Sequence, residues 1–413
     1  TDDGYHRRLV SALTLATVAE LDASVPDREA AFDVFSKLPL PGPADETWRY
    51  VEHEISLEGL SLPAQGQAMN PDPILAGLDP GQHAVIVDGW TASIEGSGYL
   101  QQGLKLADLI ASDVDKFAAA HRAFVSDGVQ IRIPPGKHTA SPILVELQSV
   151  SPNAISFPHV TIELEENSEA EVIVAHRAVN GIGSYSVPQV EVVLAQSARL
   201  RLLELQEVGE GSSVIVQLRA RLGRDATLRL GEVGLGGDLA RLDLAVHLEG
   251  QGAAAEIVGL FFGHRQQTLD YRMVLKHEGP KSSSNVLLKG AVEDSARSIF
   301  SGLVRIEKGA NGTSAFETNR NLVLSPNAKA NSIPNLEILC DDVICGHGSS
   351  VGPLEEDHLY YLQSRGISPA RAERLLVRGF FKAVLDKLPV GGMEDALAEI
   401  VERRFVRAQE SAA

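Results

Sequence analysis

Cys340, Cys345 and His347 stand together in the segment LEILCDDVICGHGSSVG (336–352), and the 413-residue chain has no other cysteine. On an extended strand side chains alternate between faces. Asp341, Val343, Cys345 and His347 then share one face, and Cys340, Asp342 and Ile344 the other. Residues i and i+2 of a strand lie about 6.7 Å apart, so a thiolate at 345 and an imidazole at 347 can turn toward one ion. Such donors suit zinc or iron–sulfur clusters. Two donors do not close a tetrahedral site, so the rest must come from elsewhere in the fold or from another chain. The plainer reading of a cysteine in a reduced protein is a small buried hydrophobe, and it fits Cys340 best.

Other chemistry-bearing residues are less well placed. His264, Asp270 and His277 lie within HRQQTLDYRMVLKH, but His277 has the opposite strand parity to the other two, which favours hydrogen-bonded histidines over one metal site. EGPKSSS (278–284) lacks the spacing of a phosphate-binding loop, so the chain is expected neither to bind nucleotide nor to hydrolyse ATP by itself. No G-x-S-x-G or H-E-x-x-H element occurs.

The elements around these residues change character along the chain. DREAAFDVFSKL (27–38) and DVDKFAAAHRAFV (113–125) have helical spacing, and HAVIVDGW (83–90) reads as a strand entering a turn. From about residue 130, aliphatic strands alternate with short turns. Ala170, Ala198, Ala226 and Ala254 follow such turns at 28-residue intervals, and the series continues to Ser282 and Ala310. A fixed period of this size signals a stacked repeat, and strands without helical pattern point to a β-solenoid. A large β-sandwich is the alternative. After residue 353 the period becomes helical: 354–366, then 368–388 with Ser368 as N-cap and Pro369 at the first helical position, then 393–410. The apolar stripe expected on the middle helix is Ala372, Leu375, Leu376, Gly379, Phe380, Ala383, Val384 and Leu388.

Composition excludes several classes. A formal charge of −18 argues against nucleic acid and against anionic membrane surfaces. No run approaches the roughly 18 apolar residues of a spanning helix, and TDDGYHRRLV has no apolar stretch of signal-peptide type. Two cysteines make no secreted disulfide framework. These features together predict a cytoplasmic protein with reduced thiols.

Residues 289–381 resemble the C-terminal half of the SufB/SufD family of iron–sulfur cluster assembly proteins. The resemblance is carried by Lys289-Gly290, Asn319-Arg320-Asn321-Leu322, Leu336-Glu337-Ile338, Asp341-Asp342-Val343, Cys345-Gly346-His347-Gly348, Tyr361-Leu362, Ser364-Arg365-Gly366-Ile367 and Arg378-Gly379-Phe380. DKFAAAHRAFVSDGVQIRIPPG (115–136) and ETWRYV (46–51) look like its earlier signatures. The Asp-Asp-Val-x-Cys-x-His-Gly motif is the SufD form. Glu317 stands where glutamine is usual, and Cys340 where a non-thiol residue is usual.

The resemblance implies a mainly β chain: a right-handed parallel β-helix (113–352) between a mixed, largely helical N-terminal region (1–112) and a C-terminal helical domain (353–413). It implies a complex with SufB, joined through the β-helix, and with the SufC ATPase, docked on the C-terminal helices, for which Tyr361, Arg365, Leu375, Arg378 and Phe380 are the expected contacts. It also implies a transient iron–sulfur cluster at the SufB interface, to which this chain contributes His347 and Cys345. In that role the chain is a scaffold and not a catalyst. A homodimer in isolation is a further arrangement it allows. No motif for the flavin associated with such complexes is visible. A structural solenoid adaptor without metal chemistry, and a β-helix polysaccharide enzyme, are the competing readings.

Overall fold

The computed structural model describes residues 12–21, 25–70, 74–96, 98–393 and 395–402. Its centre is a parallel β-solenoid in which each coil gives one strand to a 10-stranded sheet and one to an 11-stranded sheet. The two sheets face each other. Along each strand alternate side chains point inward, so Val172, Leu202, Leu230, Ile257 and Val286 form one continuous aliphatic column in the 10-stranded sheet. Fully burying each such side chain contributes about 1.5–3 kcal/mol.

The turns explain the small-residue period. Asn167, Ser197, Asp225, Gly252, Lys281 and Gly312 all have positive φ, and Ser168, Ala198, Ala226, Ala253, Ser282 and Thr313 follow them, all buried. Successive turns are tied by backbone bonds, from Asn167 N–H to the Gln196 carbonyl at 3.0 Å through to Gly312 N–H on the Asp342 carbonyl at 2.7 Å. Three of the six small residues expected at 28-residue steps, Ala198, Ala226 and Ser282, occupy this position. Ala170, Ala254 and Ala310 do not, because the coils differ in length. Arg199 pairs with Thr227, Thr227 with Ala254 and Ala254 with Ser283, steps of 28, 27 and 29 residues.

Both flanks of the solenoid are covered, which is why many strands are apolar on both faces. The expected N-terminal helices form at Arg28–Lys37 and Lys116–Phe124. With Trp48 they cover Ile155, Phe157, Val187 and Ile215 on the outside of the 11-stranded sheet. Trp48 is held by Arg241, whose guanidinium lies 3.9 Å from the ring centre, donates to the Thr47 carbonyl at 3.1 Å and pairs with buried Asp270. Burial raises the Asp270 carboxyl above its usual range despite that guanidinium.

On the other flank the helix Pro369–Leu385 and residues 388–393 and 395–401 cover Leu203, Leu205, Val233 and Leu260. Gly231 permits this contact, since a Cβ there would lie 2.7 Å from Pro389. The buried stripe of the helix is Ala372, Val377, Phe381, Val384 and Leu385. It is rotated from the expected one: Leu375, Gly379 and Ala383 face outward. Ser368 and Pro369 open the helix as expected, although the Ser368 side chain makes no cap bond. A last helical stretch covers 395–402, and residues 403–410 of the expected third helix lie outside the described residues. No helix among the described residues is long and apolar enough to cross a membrane.

The two ends of the solenoid differ. At the N-terminal end, Gln82–Val87 pairs antiparallel with Trp90–Glu95, and Leu100–Gln102 antiparallel with Gly128–Ile133. At the C-terminal end the strands Lys329–Ile338 and Val343–Gly352 are the outermost of their sheets. Among the described residues no further coil lies over them.

Candidate functional site

Cys345 and His347 lie on that last strand, Val343–Gly352. Its register pairs Thr313 with Val343, Ala315 with Cys345, Glu317 with His347 and Asn319 with Ser349. Ala315 is an interior residue, so Cys345, His347 and Ser349 project over the solenoid's interior at its open end. The face shared by Cys345 and His347 is thus the inward one. Cys345 is half-buried against the core, and His347 is exposed. Ser349 bonds Ser332 across the mouth at 2.8 Å. Cys340 lies at the corner before that strand, half-buried against the same core, and its thiol donates to Asn311 Oδ1 at 2.8 Å.

An apolar rim surrounds the mouth. Ile338 is 44 % exposed, Leu339 45 %, Val351 45 % and Ile344, on the outer face of the last strand, 69 %. Two open strand edges bordered by exposed aliphatics form a surface that soluble proteins ordinarily cover.

One coil deeper, the aliphatic column is interrupted. Val286 pairs with Glu317, which is only 1 % exposed. Neither carboxyl oxygen has a hydrogen-bond partner, and burial pushes its pKa up to about 8. Beside it, Asn321 Nδ2 donates to Asn319 Oδ1 at 2.5 Å, and Asn319 Nδ2 has no partner. These interior polar groups were missed as a site by the sequence reading. The available signal was the polar alternation Glu317, Asn319, Asn321 at positions that hold aliphatics or glycine in the preceding coil.

The remaining sequence candidates do not join this site. Asp270 pairs with Arg241 on the N-terminal flank. His277 is fully buried, with Nδ1 2.8 Å from Ser282 Oγ and Nε2 2.9 Å from Ser284 Oγ. Burial lowers its pKa to about 4. His264 lies 3.9 Å from Glu210. Among the described residues, the one group of three potential ligands already gathered is His247, Glu249 and Glu278. It lies on the outside, where Lys276 holds Glu278 at 2.5 Å.

On the C-terminal helices, Tyr361 is 57 % exposed and stacks with Arg365 at 5.2 Å. Leu375 is 42 % exposed, and Arg378 faces solvent 3.5 Å from Glu402. Phe380 is half-buried. Lys289 donates to its carbonyl at 2.7 Å and lies over its ring at 4.5 Å.

A family model described as the SufBD core domain of SUF system FeS cluster assembly matches residues 147–380, more than half of the chain. The chain belongs to this family. An iron–sulfur cluster assembly SufBD family protein of Mycobacterium tuberculosis is 33 % identical over 385 residues, covering 91 % of this chain and 92 % of the relative. The iron–sulfur cluster assembly protein SufD of Bacillus subtilis is 30 % identical, over 78 % of this chain and 74 % of its own length. Its Escherichia coli counterpart is 28 % identical, over 88 % and 89 %. For a SufBD-family chain the thiol and imidazole at the solenoid's mouth are chemically apt, since both bind iron and its clusters.

Proposed function

We propose that this chain is a SufD-type scaffold, non-catalytic in itself, whose open solenoid end meets SufB and whose C-terminal helices receive the SufC ATPase. The observation that carries this reading is the open end: Cys345 and His347 lie over the interior of a coil that no other described residue caps with a further strand, inside an apolar rim. A nascent iron–sulfur cluster is cargo there, held by His347 and Cys345 together with donors from SufB. A shared site accounts for the two-donor shortfall of this chain. It also allows release, since parting the two chains breaks the ligand set.

The C-terminal arm is suited to transmit work. Its inner stripe is packed on the solenoid wall, and Lys289 fixes Phe380 to the same wall. Its outer face leaves Tyr361, Leu375 and Arg378 exposed. When SufC closes on ATP, a pull on this face moves the solenoid and shifts its mouth against SufB. An interface with two arrangements is the physical requirement for such a switch.

Two measurements test the docking. Replacing Ile338 and Val351 together by aspartate puts two charges into the rim, and SufB should no longer copurify while the chain's own unfolding midpoint is unchanged. Retained SufB would remove the mouth from the interface. Leu375→Asp should weaken SufC binding by about tenfold or more, the scale of a central apolar contact. Full SufC affinity would place docking elsewhere.

A further inference from the structure

We propose that Glu317 is a third metal donor of this chain, one coil beneath the mouth, and that with Cys345 and His347 it binds a divalent cation of the ferrous class without a partner's help. This rests on the reading of the open end given above and adds to it a residue and a ligand class.

Position is the first ground. Parallel register stacks Glu317 on His347 and Ala315 on Cys345, and neighbouring strands lie about 4.8 Å apart. A glutamate side chain spans that distance by rotation. The second ground is the unmet bonding of the carboxyl. A side chain 1 % exposed keeps two oxygens without any partner, whereas buried carboxylates are as a rule hydrogen-bonded, paired or bound to metal. The third is the space around it. The facing residue is Gly302, where an added Cβ would lie 2.1 Å from Glu317 Oε2. In the strand before, the residue paired with Gly302 is Met273, so the wall is recessed where the carboxyl rests.

The carboxyl lies against Gly302, and the three donors are not among the residues already gathered around one point. The site therefore forms as the cation enters and Glu317 turns toward His347. Thiolate, imidazole and carboxylate together suit Fe²⁺, Co²⁺ or Zn²⁺ and not the hard cations Mg²⁺ or Ca²⁺.

The test is an anaerobic titration of the full chain with Co²⁺ alone, followed by visible absorption. A Cys340→Ser background leaves Cys345 as the only source of a thiolate-to-cobalt band. The expected result is binding by the parent, with affinity about tenfold or more weaker in Glu317→Gln and the thiolate band retained. His347→Ala weakens binding likewise, and Cys345→Ala abolishes the band. If Glu317→Gln binds as the parent does while the His347 and Cys345 variants fail, Glu317 is a spacer and only this inference falls. Absence of Co²⁺ binding by the parent also overturns it, leaving a site that SufB must complete. If no variant differs from a parent that binds, the reading of the open end itself falls. Should Glu317→Gln not fold, Glu317→Leu, which continues the aliphatic column, takes its place, with Co²⁺-induced thermal stabilisation as the second readout.

Discussion

Asp270→Ala is expected to destabilise the chain by about 3–5 kcal/mol, the usual cost of removing one partner of a buried ion pair. Arg241 and Asp270 are 2 % and 1 % exposed, so the variant leaves a buried guanidinium without its paired carboxylate. The loss spreads beyond one coil, because the same guanidinium holds Trp48 and the Thr47 carbonyl. The N-terminal cover should loosen first, seen as faster amide exchange around the helix Lys116–Phe124. Pairing Asp270→Ala with Arg241→Met should restore much of the stability, since the stranded charge is gone. A double variant no more stable than the single one would show that the loss comes from Arg241's contacts with Trp48 and Thr47 and not from a stranded charge.

Glu317→Leu, by contrast, should stabilise the metal-free chain, and by more as pH rises. The folded carboxyl titrates near pH 8, the unfolded one near its ordinary value of about 4.3. Below the lower value both states are protonated and the residue contributes no pH dependence. As pH climbs toward 8 the unfolded state loses its proton while the folded state keeps it, so stability falls throughout this interval. At pH 7 the accumulated penalty is about 4 kcal/mol, taking about 1.4 kcal/mol per unit. The leucine variant escapes it and extends the aliphatic column. Urea midpoints of parent and variant should therefore diverge from pH 5 to pH 8. Parallel curves would mean that the carboxyl is already ionised and satisfied in the folded chain. A residue that lowers stability at neutral pH while lying beside the candidate ligands is the trade expected of a functional position.

Much of the fold was legible because the solenoid's turns make a local demand. Each needs a positive-φ residue followed by a small buried one, and Ala198, Ala226 and Ser282 met the spacing rule. The register between those points was not legible, since coil length varies with turns that tolerate insertion. Strand parity correctly put Cys345 and His347 on one side. That this side faces the interior at an uncovered end depends on which coil is last, and no local pattern states that. The helix Pro369–Leu385 shows another limit. It carries apolar residues around much of its girth, and Phe380 and Phe381 compete for the inward position. The sheet and residues 388–393 and 395–401 bury Phe381, and Phe380 is left for Lys289. Glu317 was visible as a departure from a family pattern, but its consequence required knowing that position 317 faces inward beneath His347.

The most direct test of the scaffold reading is anaerobic reconstitution of this chain with SufB and SufC, comparing the parent with His347→Ala by visible absorption and by iron and sulfide content. The account predicts an intact complex whose cluster content falls about tenfold, the lower range for losing a group that shapes metal affinity. An undiminished cluster on the variant complex would contradict it. It would return Cys345 and His347 to packing and move the assembly site wholly into SufB.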